Sequence, residues 1–142
     1  MKTLSFKLLF PFLFLFLFGC APVSDFNQLA YQQSLSIKSQ ALTLISKADE
    51  NYTDHQSEID SLKLSVENAY QFSKTIPNNE ETVSQWEIIR DPNRSSLFGL
   101  LERWKNKERL SDTFISEVKL LISFDFNLII DFENNKIKSL KN

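Results

Sequence analysis

Turn-forming and ligand-forming residues are scarce in this chain of 142 residues, which has two glycines, four prolines, one histidine and one cysteine. Sandwiches and barrels reverse often at Gly, Asn-Gly or Pro, so so few turn formers argue against an all-β fold. One cysteine excludes an internal disulfide, and the fold must hold itself by packing alone. One histidine leaves a carboxylate-bridged di-metal bundle without its second Glu-x-x-His pair, and leaves any serine nucleophile only His55 as its base. The sequence has neither a glycine-rich phosphate loop nor a nucleophile elbow. A basic excess is also missing, since the net charge is −2. That balance argues against a nucleic-acid partner.

What the chain does have is one long apolar run near its start. Leu8 to Phe18 is almost uninterrupted, follows Lys2 and Lys7, and ends at Gly19 and Cys20. The run has eleven residues, whereas a membrane-spanning helix takes roughly 20. A basic start, a short apolar stretch and a small residue at its end are the three regions of a secretory signal peptide, which is removed from the mature protein.

At the junction, Leu17-Phe18-Gly19-Cys20 resembles the lipobox of bacterial lipoproteins. Leu17 and Gly19 occupy the expected positions, and Phe18 departs from the small or β-branched residue usual there. The resemblance covers the export segment only. It implies that residues 1–19 are a cleaved signal, that Cys20 becomes the N-terminus with a diacylglyceryl thioether, and that its amine usually takes a third acyl chain. Two or three chains anchor stably where one holds only marginally. Ala21 after the cysteine, by the sorting pattern of enteric lipoproteins, implies the outer membrane facing the periplasm when the host is Gram-negative. Two other readings stay open: a plain secretory signal cut elsewhere, with Cys20 discarded or left as a thiol, and a retained anchor despite Pro11 and the short run.

Without its signal the chain has 123 residues, with 14 lysines and arginines against 18 acids. This is one domain by length, large enough to bury a real core. Residues 20–24 read as a lipidated cysteine and short tether, and 25–142 as a helical domain. The fold class expected is all-α, a small bundle of four to five helices. Apolar residues recur at three and four residue steps from Asp25 to Lys47, with Ser24 or Asp25 as the cap. Thr53 and Gln56 have capping-box spacing for a second helix. Ile76-Pro77 ends that helix. A third helix follows around Val83, Trp86 and Ile89, and a fourth around Leu97, Leu100, Leu101 and Trp104. Ser111 caps the last, with Leu110 and Ile115 in hydrophobic-staple positions.

That last segment is ambiguous. Val118, Leu120, Ile122, Phe124, Phe126, Leu128, Ile130 and Phe132 alternate as a strand would, yet Phe114, Ile115, Val118, Leu121, Ile122, Phe126, Ile129 and Phe132 satisfy a helical face. The segment is longer than most strands and has no partner strand in the chain, so it reads as a helix, the central and most buried one. Asp125 and Asp131 fall at the margin of its apolar face. Lys136, Lys138 and Lys141 suit the negative end of that helix and a frayed tail.

His55 and Glu58 are one turn apart and read as part of a solvated first turn. Glu80 and Glu81 read as first-turn acids. Arg103, Lys105, Lys107 and Arg109 wrap their helix and form no basic stripe. The richest cluster is Trp86, Arg90, Asp91, Arg94, Phe98 and Trp104 around a proline turn. Aromatics with arginine are the residue types of protein hot spots, so these six are the candidate partner-binding residues, set against a core role for the tryptophans and an Asp91–Arg94 brace. No catalytic group, metal or cofactor is expected. The reading is a lipid-anchored envelope protein that binds another envelope protein. The alternative is a carrier or sensor of a small apolar ligand, in a cavity lined by residues such as Phe124, Phe126 and Trp86.

Overall fold

The structure, a computed structural model, describes residues 23–139, with side chains as far as Lys136. The signal segment 1–19, Cys20 and the start of the tether lie outside the described residues, as do the side chains of Lys138 and Lys141. Five helices make up the domain: α1 (Gln28–Ile45), α2 (Gln56–Thr75), α3 (Glu80–Arg90), α4 (Leu97–Lys107) and α5 (Asp112–Ser139). Among the described residues there is no strand, and no helix is long and apolar enough to cross a membrane.

α1 and α5 lie antiparallel. Lys38 donates to Asn127 near the middle, at 2.6 Å, and Lys119 to Ser46 at the far end, at 2.7 Å. α2 packs on α1 and on α3, and α3 bridges to α4 and α5. The core between them centres on two edge-to-face aromatic pairs, Trp86 with Phe126 at 5.9 Å and Tyr52 with Trp104 at 5.5 Å between ring centroids. All four rings are buried, and edge-to-face contact suits their quadrupoles.

The helix boundaries follow local chemistry, with two departures from expectation. α1 is capped by Asn27, whose side-chain oxygen accepts the Ala30 amide at 3.0 Å, and not by Ser24 or Asp25. Ser24 is buried and its hydroxyl donates to Asn79. The capping box at Thr53 and Gln56 does not form. Tyr52–His55 make a 3₁₀ turn, Gln56 donates to Asp60, and α2 begins with no side-chain cap. That turn puts Tyr52 into the core, and burying an aromatic ring outweighs a cap worth about 1 kcal/mol. No Gly or Pro separates α1 from α2. Backbone bonds from Leu110 to Ala48 and from Tyr52 to Glu108 hold the reversal open instead. Elsewhere the signals act as read. Ile76 before Pro77 is extended and ends α2, and the Ser111 hydroxyl accepts the Phe114 amide at 3.4 Å.

α5 is a helix with two apolar faces. Ile115, Val118, Ile122, Phe126 and Ile129 face the core, whereas Leu120, Leu121, Phe124 and Leu128 are exposed. It is therefore the longest helix but not the most buried, since one apolar face meets solvent.

Its C-terminal part carries a buried polar cluster that receives the N-terminal segment. Glu133 and Lys136 are both out of solvent, so Lys136 is not the solvated tail residue its position suggests. The Lys136 ammonium donates to Glu133 at 2.5 Å and to Asn79 at 2.8 Å. Asn79 also accepts from Ser24 at 3.1 Å and donates to the Ser73 carbonyl at 3.0 Å, and Thr82 donates to Glu133 at 3.4 Å. The Ser24 amide, donating to the Asn78 carbonyl, and the Asn27 amide, donating to the Glu133 carboxylate, complete it. Every charge is paired and hydrogen-bonded, which is the condition for burying it. Ser24 and Asn27 are thus fixed at the end of the bundle formed by the α2–α3 turn and the C-terminal part of α5.

Candidate interaction surface

The α3–α4 turn, Asp91 to Ser96, is held at both ends. Asp91 accepts the Asn93 amide at 2.9 Å and pairs with Arg94 at 3.4 Å. The Asn93 amide N–H holds the Asp91 carboxyl below its usual range, with help from the Asn93 side chain and Arg94, against a smaller opposing effect of burial. Ser96 precedes α4 in the cap position, yet its hydroxyl donates across to Asp125 on α5 at 2.7 Å. Burial pushes the Asp125 carboxyl up, and the Ser96 hydrogen bond partly offsets this. Gly99 lets the turn fold down onto α4, since a Cβ there would stand 1.8 Å from the Arg94 carbonyl oxygen.

This placement opens a cleft of about 470 Å³ between the turn, α4 and the N-terminal half of α5. Leu100, Val118 and Ile122 give it an apolar floor, and Arg94, Arg103 and Glu117 stand around it. The Arg103 guanidinium lies 4.2 Å from the centroid of the Phe114 ring, a cation–π contact. Leu121 belongs to the cleft and to the exposed face of α5, so the two form one continuous surface. On that face Leu120 is 76% exposed, Phe124 58%, Leu121 40% and Leu128 39%.

Of the six candidate residues, the structure brings one to this surface. Arg94 lines the cleft, with Asp91 behind it. Trp86 and Trp104 are core residues. The Trp104 indole N–H is shared between the Glu50 and Glu108 carbonyls, at 3.0 and 3.1 Å. Arg90 faces α2, paired with Glu67 at 2.7 Å and stacked on Tyr70. Phe98 is half-buried, with the Lys63 ammonium over its ring. Arg103, Phe114, Glu117 and Leu121 were not marked by the sequence as members of a site. The apolar alternation through α5, with Leu120, Phe124 and Leu128 in it, signals only the exposed face beside them; no sequence pattern brings Arg103 of α4 to Phe114, Glu117 and Leu121.

Phe124, Phe126 and Trp86 do not line one cavity. Phe126 packs on Trp86 in the core, and Phe124 points to solvent from the other side of α5.

His55 is buried, not solvated as its first-turn position suggests. Its ring lies 5.7 Å from Trp104, with Nε2 2.8 Å from Glu50 and Nδ1 3.3 Å from Glu58. Lys47 also holds Glu58, at 2.8 Å. Burial presses the imidazole pKa down, but the hydrogen bonds to Glu50 and Glu58 and their charges outweigh it and hold it above the usual value. Among the described residues no cluster of His, Cys, Asp and Glu is arranged to hold a metal ion. No family model matches the chain, and neither a curated protein nor a solved structure matches it.

Proposed function

We propose that this chain is a lipid-anchored protein of the cell envelope whose helical domain binds another envelope protein and catalyses no reaction. The carrying observation is the continuous apolar surface of cleft and outer α5 face. Exposed apolar patches of this kind mark interaction sites. Around the cleft stand two arginines and a glutamate, and the one histidine is engaged elsewhere by Glu50 and Glu58.

The anchor reading rests on the lipobox resemblance, with lipid on Cys20, and with the outer membrane facing the periplasm for a Gram-negative host. Three residues separate Cys20 from the clamped Ser24, so four Cα–Cα steps span at most about 14 Å. The domain then works close to the bilayer, on a short leash.

A second reading, a carrier of a small apolar ligand, draws on the same cleft. Its volume of about 470 Å³ lies within the range of small-molecule sites.

Metabolic labelling with a palmitate analogue tests the anchor: label is expected on the parent chain and absent from Cys20→Ser. Label that persists in the variant overturns it. Photo-crosslinking in cells from position 94 tests the binding role, with a discrete protein adduct expected.

A further inference from the structure

We infer that the outward face of α5 seats an amphipathic helix from a different protein, one carrying basic residues at both ends of its apolar face. This rests on the interaction reading above and names the class of partner.

The face is laid out as a helix-packing seam. Glu117, Leu121, Phe124, Leu128 and Asp131 follow one another at steps of four, three, four and three residues. That is the spacing of the a and d positions of a coiled coil, where side chains of one helix enter the gaps of another. The seam covers about 21 Å at 1.5 Å per residue, some four turns of a partner helix. Leu120 stands beside it and is the most exposed large apolar side chain among the described residues.

The charges select the partner. Glu117 and Asp131 close the apolar stretch at its two ends, are exposed, and have no ion-pair partner among the described residues. Arg103 is stacked on Phe114, one turn before Glu117, and makes no ion pair with that glutamate.

A second copy of this chain fits poorly. An antiparallel pair crossing at Phe124 sets Glu117 against Asp131 of the other copy, twice, and a parallel pair sets each acid against itself. Like charges brought together in this way are penalised. An anionic bilayer surface fits no better, because membrane-lying helices carry Lys and Arg beside their apolar face. Here, among the described side chains, Lys38 and Lys119 are turned to Asn127 and Ser46, and Arg103 is stacked on Phe114. A helix with lysine or arginine at both ends of a leucine-type seam satisfies both the apolar face and the two carboxylates.

The test uses the full acylated chain in phosphatidylcholine nanodiscs and two fluorescein-labelled synthetic helices with a leucine seam. One carries lysines at the seam ends and the other glutamates, and anisotropy is read against empty nanodiscs. The lysine-ended helix is expected to bind at least about tenfold more tightly, and the double variant Glu117→Lys, Asp131→Lys to reverse the preference. Phe124→Ser is expected to weaken binding of the favoured helix in each case, with the circular dichroism spectrum unchanged. Equal affinity for the two helices, binding of neither, or a dimer of the chain by sedimentation overturns the inference. A protein crosslinked from position 94 despite that outcome leaves the interaction reading standing and removes only this choice of partner.

Discussion

Lys136 donates to Glu133 at 2.5 Å, one turn apart on α5, with both side chains out of solvent. A buried ion pair adds little net stability over a well-packed apolar pair, because desolvating two charges offsets their attraction, but removing one partner strands the other. Glu133→Gln or Lys136→Met alone is therefore expected to cost about 3–5 kcal/mol by urea denaturation, and the double change Glu133→Gln, Lys136→Met, which keeps an acceptor for the Asn27 amide and Thr82, less than the sum of the two. Additive losses in the double variant would show that the pair acts as two independent contacts.

Gly99→Ala tests how the cleft is built. A methyl group there meets the Arg94 carbonyl at 1.8 Å, so the turn must lift and loosen the Ser96–Asp125 bond. Overpacking of this kind costs about 1–3 kcal/mol, and a lower melting temperature is expected. An unchanged one would mean that the turn does not rest on α4.

Phe124 and Phe126 give opposite expectations two residues apart. Phe126→Ala removes a fully buried ring and should cost about 3–5 kcal/mol, whereas Phe124→Ser, on the exposed face, should stay within about 0.5 kcal/mol. In a strand the two would share a face and lose stability together, so this comparison also tests the helical assignment.

His55 predicts a pH dependence with a definite sign. Its folded pKa is held above the ordinary 6.5, so its stabilising contribution is complete below about 6.5 and is lost as pH rises through the higher folded value. Glu58 runs the other way. Hydrogen bonds from Lys47 and then His55 hold its pKa down, so its contribution is present above the ordinary 4.5 and is lost as pH falls through the lowered value. Denaturation midpoints should fall between about pH 6 and 8 in the parent and stay flat in His55→Gln, since no other histidine titrates there. A slope that survives the substitution would assign it to another group.

Much of the fold could be read from residue patterns. The α2 stop at Ile76-Pro77, the Ser111 cap and the apolar steps of α1 act locally, and local chemistry is what a sequence displays. The tertiary choices were hidden. Glu133 and Lys136, three apart on a helix, look like a surface pair until Asn79, Thr82 and the Asn27 amide arrive to satisfy them. Trp86 and Trp104 have the composition of a hot spot, and only the packing of Phe126 and Tyr52 against them sends both inward. The alternation from Val118 to Phe132 blurred helix and strand because α5 is apolar on two faces, and one of those faces is the surface proposed to bind.

The most direct measurement is site-specific photo-crosslinking in cells, with the probe placed in turn at Leu121, Phe124 and, as a control on α2, Leu64. Leu64 is 62% exposed, so exposure alone would let it react. One discrete protein adduct is expected, shared by positions 121 and 124 and missing at 64. The same yield at all three positions, or no protein adduct at 121 and 124, would contradict it.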